Sequence, residues 1–167
     1  MYRDDIVIYG EDVLRQKAQD ITDFNDEVRE LINHMYEVME ENKGLGLAGP
    51  QIGISKRIFV YDIGEGPHAM INPVFVKKSG KECGIEGCLS IPGLQGEVTR
   101  ADKVTIKGID ENGEEIIVKA EGLLARVFQH EMDHLDGTLF IDKADPDTLE
   151  TISQGESDEN DKEEEED

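Results

Sequence analysis

Two histidines four residues apart, His130 and His134, are the side chains of this chain with the clearest chemistry. Residues at that spacing lie on one face of an α-helix, so both imidazoles can bind the same metal ion. Glu131 follows the first histidine and can take a proton from water at that metal. Residues 122–129 carry apolar side chains at helical spacing and no proline, which predicts a helix over 122–135. The alternative is a solvated helix that happens to contain two histidines.

A catalytic zinc-type site needs a third protein ligand beside an open position. One class of metalloproteases has a third histidine six residues after the second, but Phe140 occupies that position here. A second class uses a downstream glutamate, and no helical pattern supports Glu150 in that role. Cys88 remains, since a thiolate binds zinc and ferrous iron strongly and Gly87 before it permits close backbone approach. A buried cysteine that packs as an apolar residue is the alternative.

Three segments together resemble the motifs of the peptide deformylase family, in the family's order. They are residues 44–51 (GLGLAGPQ), 86–90 (EGCLS) and 129–137 (QHEMDHLDG). The resemblance covers residues 6–142. It implies an α+β fold of the deformylase kind, with mixed or antiparallel strands packed around a central helix that carries the histidine pair.

The resemblance also implies an activity, the removal of the N-formyl group from the formylmethionine of nascent polypeptides with release of formate. Cys88, His130 and His134 would hold one divalent metal ion, and Glu131 would carry the proton. The Gln51 amide and the backbone N–H of Leu89 would donate to the formyl oxygen. Fe²⁺ is the expected metal, because the family works best with it; Zn²⁺, Ni²⁺ and Co²⁺ are alternatives that suit the same ligands.

Seven residues are expected to contact the formylmethionyl peptide: Gly44, Leu45, Gly46, Glu86, Gly87, Leu123 and Arg126. The glycines let the backbone approach an extended peptide, and Gly46 can hydrogen-bond it as a strand would. A tight connection between a helix and a strand explains Gly44 equally well. Glu86 and Arg100 are expected to form a buried ion pair that holds the cysteine segment.

Arg126 lies on the predicted helix four residues before His130, and therefore on the metal-facing side. We expect its aliphatic stem to line the methionine pocket and its guanidinium to reach the rim; the alternative is a side chain in solvent.

Gly49 stands where the first motif usually has alanine. We expect the missing methyl group to loosen this loop and leave a small gap.

Composition is typical of one catalytic domain, which we place at residues 1–145. The chain has 167 residues, of which 37% are hydrophobic, enough for one core of ordinary size. No apolar run reaches the roughly 20 residues that span a membrane, and the first residues resemble neither a signal nor a transit peptide. Cys83 and Cys88 form no disulfide framework. We expect a cytoplasmic monomer that does not bind membranes.

The net charge is −22, and the end of the chain supplies much of it. Residues 146–167 are predicted to form an acidic, disordered tail, because residues 156–167 are mostly acidic and have almost no apolar content. The tail is either a solubilising end or an arm that contacts a basic partner such as the ribosome surface. Direct nucleic-acid binding is not expected, because it requires clustered lysine and arginine.

Hydrophobic periodicity predicts the remaining elements. Helices are expected at residues 11–18 and 25–42, a glycine-rich loop at 44–53, and strands at 57–63, 69–77, 96–99, 103–109 and 114–119.

Competing functions are a metallopeptidase, which the missing third histidine disfavours, and a peptide-binding relative without catalysis. A redox switch that uses Cys88 with Cys83 is a third.

Overall fold

The computed structural model of the chain describes residues 5–152 and has the predicted α+β architecture. Short 3₁₀ turns lie at Asp12–Arg15, Gly49–Ile52 and Pro146–Thr148. The helices and strands follow in the order α1 (Asp26–Glu41), β1 (Gly46–Ala48), β2 (Ile58–Tyr61), β3 (His68–Ser79), β4 (Glu82–Cys88), β5 (Ile91–Arg100), β6 (Lys103–Ile109), β7 (Glu115–Glu121), α2 (Gly122–Leu135), α3 (Phe140–Lys143) and β8 (Glu150–Thr151).

The strands form two antiparallel sheets. The larger has the order β1-β2-β3-β6-β7, and the smaller has the order β4-β5-β8. The predicted hairpin between β6 and β7 is present, with Ile109 paired to Glu115 across the turn. Since β1 is at the edge of the larger sheet, its outer side is available to another extended segment.

Strand β2 is buried on both faces, because a helix covers each side of the sheet there. Ile58 and Val60 pack toward α1, whereas Phe59 and Tyr61 pack toward α2. Alternate residues of a strand point to opposite faces, so four consecutive buried side chains are expected where both faces are covered. The larger sheet therefore lies between the two long helices at this end.

Helix α1 confirms the prediction for residues 25–42 almost to the residue. Its apolar stripe is buried against the sheet, and the Asn25 side chain caps the start by accepting from the Val28 N–H at 3.2 Å. Helix α2 likewise confirms the prediction for 122–135. The Phe128 ring is fully buried on α2 and meets the Tyr61 ring edge-on at 4.9 Å, which fixes the rotation of the helix.

The structure differs from the predicted elements in several places. The helix expected at 11–18 is only a 3₁₀ turn, and the loop at 44–53 contains β1 and a second 3₁₀ turn. The strand expected at 96–99 extends over Ile91–Arg100, and strand β4 was not predicted. Residues 146–152, assigned to a disordered tail, pack onto the smaller sheet, where Ile152 N donates to Gly93 O at 2.8 Å.

The rest of the predicted tail, residues 153–167, lies outside the described residues. Within the described part, no helix combines the length and the apolar character that crossing a membrane requires.

Candidate active site

A cavity of about 560 Å³ lies between the α1–β1 connection, the β4–β5 hairpin and α2. Its walls contain backbone from the glycine-rich segment on one side and from the hairpin on the other. Cys88, His130 and Glu131 line its inner end. The two motifs that are distant in sequence therefore meet the histidine motif in one concave site.

The ligand atoms of Cys88, His130 and His134 all lie within 4.8 Å of one another. Cys88 Sγ is 3.4 Å from His134 Nε2. Both histidines come from α2, as their spacing predicts. Cys88 ends β4 at a register shift in the β4–β5 pairing, and such an irregularity re-aims a side chain out of the regular ladder.

The donor set fits a divalent transition metal. One thiolate and two imidazoles suit zinc and ferrous iron alike, and three protein ligands leave a coordination position open. His130 Nδ1 donates to Glu86 Oε1 at 2.8 Å. This leaves Nε2 of the ring as the ligand atom, and we call Cys88, His130 and His134 the ligand group. Among the described residues, buried Glu131 Oε1 has no hydrogen-bond partner. This buried acceptor lies beside one thiolate and two imidazoles, a group of side chains that could hold a metal ion.

Glu131 is 4% exposed and is closely covered by the backbone of Gly46. A Cβ atom at position 46 would lie 2.6 Å from Glu131 Oε2, so this carboxylate occupies space that only a glycine leaves. Burial raises the pKa of Glu131 to about 7, against the opposing effect of a positive charge on His130.

Gln51 has an oriented amide at the same end of the cavity. Its Oε1 accepts from Ala48 N at 2.9 Å, and its Nε2 lies 3.2 Å from Ser90 Oγ and 3.7 Å from Cys88 Sγ. Because the oxygen is fixed to the backbone, the amide nitrogen is the end that faces the ligand group.

Glu86 connects the ligand group to a buried ionic network. Its carboxylate accepts from Arg100 Nε at 2.6 Å and from Arg100 Nη2 at 2.8 Å, and Arg126 Nη1 donates to it at 2.5 Å. Burial opposes ionisation of Glu86, but its hydrogen bonds with Arg100 and His130 outweigh burial and hold its pKa well below the ordinary range. The expected Glu86–Arg100 pair is present.

The network continues beyond Arg100. Arg100 Nη1 donates to Asp133 Oδ2 at 2.8 Å, and Lys143 Nζ donates to Asp133 Oδ1 at 2.9 Å. The carboxylate of Asp133, on α2 between the two histidines, thus links that helix to β5 and α3.

Comparison with known proteins agrees with this geometry. A family model described as polypeptide deformylase matches residues 3–150. The chain belongs to the peptide deformylase family. Peptide deformylases are hydrolases that remove the N-formyl group from nascent polypeptides, and that is the activity of this chain.

Relatives share both sequence and fold. The peptide deformylase of Carboxydothermus hydrogenoformans is 52% identical over 140 residues, which cover 84% of this chain and 92% of the relative. The crystal structure of the Thermotoga maritima peptide deformylase matches with a TM-score of 0.83 at 44% identity, over 87% of this chain and 99% of that one. The Synechococcus elongatus deformylase in complex with actinonin matches at 0.82 and 43%, over 84% and 78%.

The remaining residues expected at the deformylase site also line the cavity. They are Gly44, Leu45, Gly46, Gly87, Leu89 and Leu123. Leu45 and Leu123 are about half exposed, at 45% and 51%, which leaves apolar surface at the mouth. Four further residues at or beside the site had no predicted role. Ser90 and Asp133 belong to the second and third motifs, whereas Lys143 and Ile152 lie outside all three.

The expectation for Arg126 differs from the structure in one respect. Its side chain does border the cavity and is 12% exposed, so it does not extend into solvent. Its guanidinium, however, turns inward to Glu86 instead of reaching the rim, because the buried carboxylate attracts it.

The expectation for Gly49 is wrong. A Cβ atom at this position would lie 2.8 Å from Ile54 O and 2.9 Å from Lys56 O, so there is no gap for a methyl group. The next turn of chain packs directly against the Gly49 backbone.

Proposed function

We propose that Cys88, His130 and His134 hold the metal ion of this deformylase and that Glu131 carries the proton in hydrolysis. The convergence of the three ligand atoms at the end of the cavity, beside a buried carboxylate, supports this assignment most strongly. A divalent ion bound there supplies Lewis-acid chemistry, which lowers the pKa of water and polarises a carbonyl oxygen.

The side chains then have separate tasks. Glu131 takes a proton from the water that adds to the formyl carbon, and it returns a proton to the amine nitrogen as the C–N bond breaks. The Gln51 Nε2–H₂ and the Leu89 N–H donate to the formyl oxygen while negative charge develops on it. Formate and a free amino terminus leave. The Gly46 backbone covers Glu131 and excludes bulk water from it. The same cover keeps the carboxylate directed at the reacting water.

The peptide binds as an extended strand along the outer edge of β1. This edge is unpaired in the described sheet, and Gly44, Leu45 and Gly46 present their backbone there. Gly87 gives the peptide room on the opposite wall. Leu123 and the stem of Arg126 form the apolar wall for the methionine side chain, with Glu86 behind it.

Ferrous iron is the metal that we propose, with zinc, nickel or cobalt as substitutes that the same ligands can bind. We place the enzyme in the cytoplasm, where nascent chains appear and where a thiolate ligand stays reduced.

We propose a monomer, because one chain supplies the whole cavity. It acts near the ribosome surface, and the catalytic domain extends through Ile152, which packs on the smaller sheet.

Formate release from formyl-Met-Ala-Ser tests this assignment. The full-length protein is prepared without oxygen, loaded with ferrous iron and compared with Glu131→Ala at equal iron content. We expect release by the parent and a rate at least about 100-fold lower for the variant. A variant that keeps its iron and hydrolyses at the parent rate would exclude Glu131 as the proton carrier.

A further inference from the structure

The guanidinium of Arg126 is fixed on the hairpin side of α2. Nη1 donates to Glu86 Oε2 at 2.5 Å and to Val98 O at 3.0 Å, and Nη2 donates to Glu82 O at 2.9 Å. These partners belong to β4 and β5, so the side chain connects α2 to the smaller sheet. A cation with three such hydrogen bonds is not free to move toward a peptide.

The β4–β5 hairpin leaves space for the Arg126 guanidinium at a glycine. Gly84 in β4 faces the guanidinium, and a Cβ atom there would lie 3.1 Å from both Arg126 Cζ and Nη2. A larger residue at 84 would push the guanidinium away from Glu86. Strand β4 and helix α2 are therefore complementary at this point.

Both oxygens of Glu86 are used. Oε2 accepts from Arg100 and from Arg126, whereas Oε1 accepts from Arg100 and from His130 Nδ1. Arg100 alone would leave one side of Oε2 without a donor. The Arg126 guanidinium holds the carboxylate plane from a second direction. The His130 ring, which bonds to Oε1, is thereby held as well.

We propose that Arg126 is a positioning residue of the metal centre, which fixes Glu86 and through it the orientation of His130. The inference rests on the proposed function, in which His130 is a metal ligand. Hydrogen-bond partners of a metal-bound histidine set the orientation of its ring, and their loss weakens metal binding by about 10- to 100-fold. The guanidinium of Arg126 accordingly acts on metal retention, whereas its aliphatic stem is the part that faces the peptide.

Transfer of cobalt to a chelator tests the proposal without using activity. The cobalt-loaded full-length protein is compared with Arg126→Met, which keeps an apolar stem, and with Arg126→Lys, which keeps the charge. We expect Arg126→Met to release cobalt about tenfold faster, with a changed visible spectrum, and Arg126→Lys to lie between it and the parent. Arg29→Met, which removes an exposed arginine paired with Asp26 on α1, is the matched control and should release cobalt like the parent.

A double variant decides whether the effect passes through Glu86. In the Glu86→Gln background, adding Arg126→Met should change the release rate little, because the carboxylate that it orients is gone. Parent-like release and an unchanged spectrum in both Arg126 variants, with only a higher KM for the peptide, would overturn the proposal. A parent protein that retains no cobalt would instead refute the metal assignment itself, and this inference with it.

Discussion

Gly46 and Glu131 fit together so closely that one added carbon would not be accommodated. The Cβ position of Gly46 lies 2.6 Å from Glu131 Oε2 and 2.9 Å from its Cδ. Gly46 belongs to the glycine-rich motif and Glu131 to the histidine motif, 85 positions later. The edge strand β1 thus forms the cover over the proposed proton carrier, in addition to serving as the proposed docking edge for the peptide.

Replacement of this glycine should impair catalysis without loss of the metal. Gly46 does not have a positive φ, so alanine would not strain the backbone and the effect would come from contact with Glu131. We expect Gly46→Ala to lower kcat/KM by about 100-fold, because a displacement near 1 Å at a reacting group has that effect. Formate release at matched metal content measures it. Gly96→Ala is the comparison, since its Cβ would contact Leu149 Cδ2 at 2.7 Å outside the cavity, and an equal loss in both variants would contradict this explanation.

Restoring the alanine that the family motif usually has should destabilise this chain. A methyl group at Gly49 would contact the carbonyl oxygens of Ile54 and Lys56, and backbone atoms yield less readily than side chains. We expect Gly49→Ala to lower the free energy of unfolding by about 1–3 kcal/mol. Urea unfolding followed by circular dichroism checks it. An increase in stability would show that this turn adapts to the methyl group.

The ion pair between Arg15 and Asp142 should give stability that depends on acid pH. The hydrogen bond from Arg15 holds the pKa of Asp142 below its ordinary value, and Leu139 N also donates to this carboxylate. The folded pKa lies below the unfolded value of about 3.9. The stabilisation is therefore present above that pH and is lost as the pH falls through the folded pKa.

Asp142→Asn keeps an acceptor for Leu139 N but removes the charge. Both partners are more than a third exposed, so we expect the parent Tm to exceed that of the variant by only about 1–2 °C at pH 6. The difference should shrink toward pH 3. A difference that stays constant over this range would mean that the pair does not contribute through its charge.

Periodic segments could be predicted from the sequence because their signals are local. Helices α1 and α2 have clear apolar stripes, and their observed bounds match the predicted ones within a residue. Strand β4 was missed because it contains Gly84 and Gly87 and mixes charged with apolar residues, which weakens any alternation. The pairing of β4 with β5 stabilises it, and the isolated sequence does not display that pairing.

The active site likewise has features that local sequence spacing predicts and others that depend on the tertiary fold. Helical spacing was sufficient to bring His130, Glu131 and His134 to one end of α2. The direction of the Arg126 guanidinium could not be predicted, because it depends on where β4 places Glu86. The contact between Lys143 and Asp133 had no signal either, since it requires the turn into α3 to bring its lysine back to α2.

X-ray absorption at the zinc edge of the zinc-loaded protein tests the proposed metal centre most directly. We expect one sulfur ligand at about 2.3 Å and two nitrogen ligands at about 2.0–2.1 Å, with the remaining scattering from oxygen. The sulfur contribution should disappear in Cys88→Ala and persist in the control Cys83→Ala, whose cysteine is exposed. A spectrum without sulfur in the parent, or one unchanged by loss of Cys88, would contradict the assignment of Cys88, His130 and His134 as the ligands.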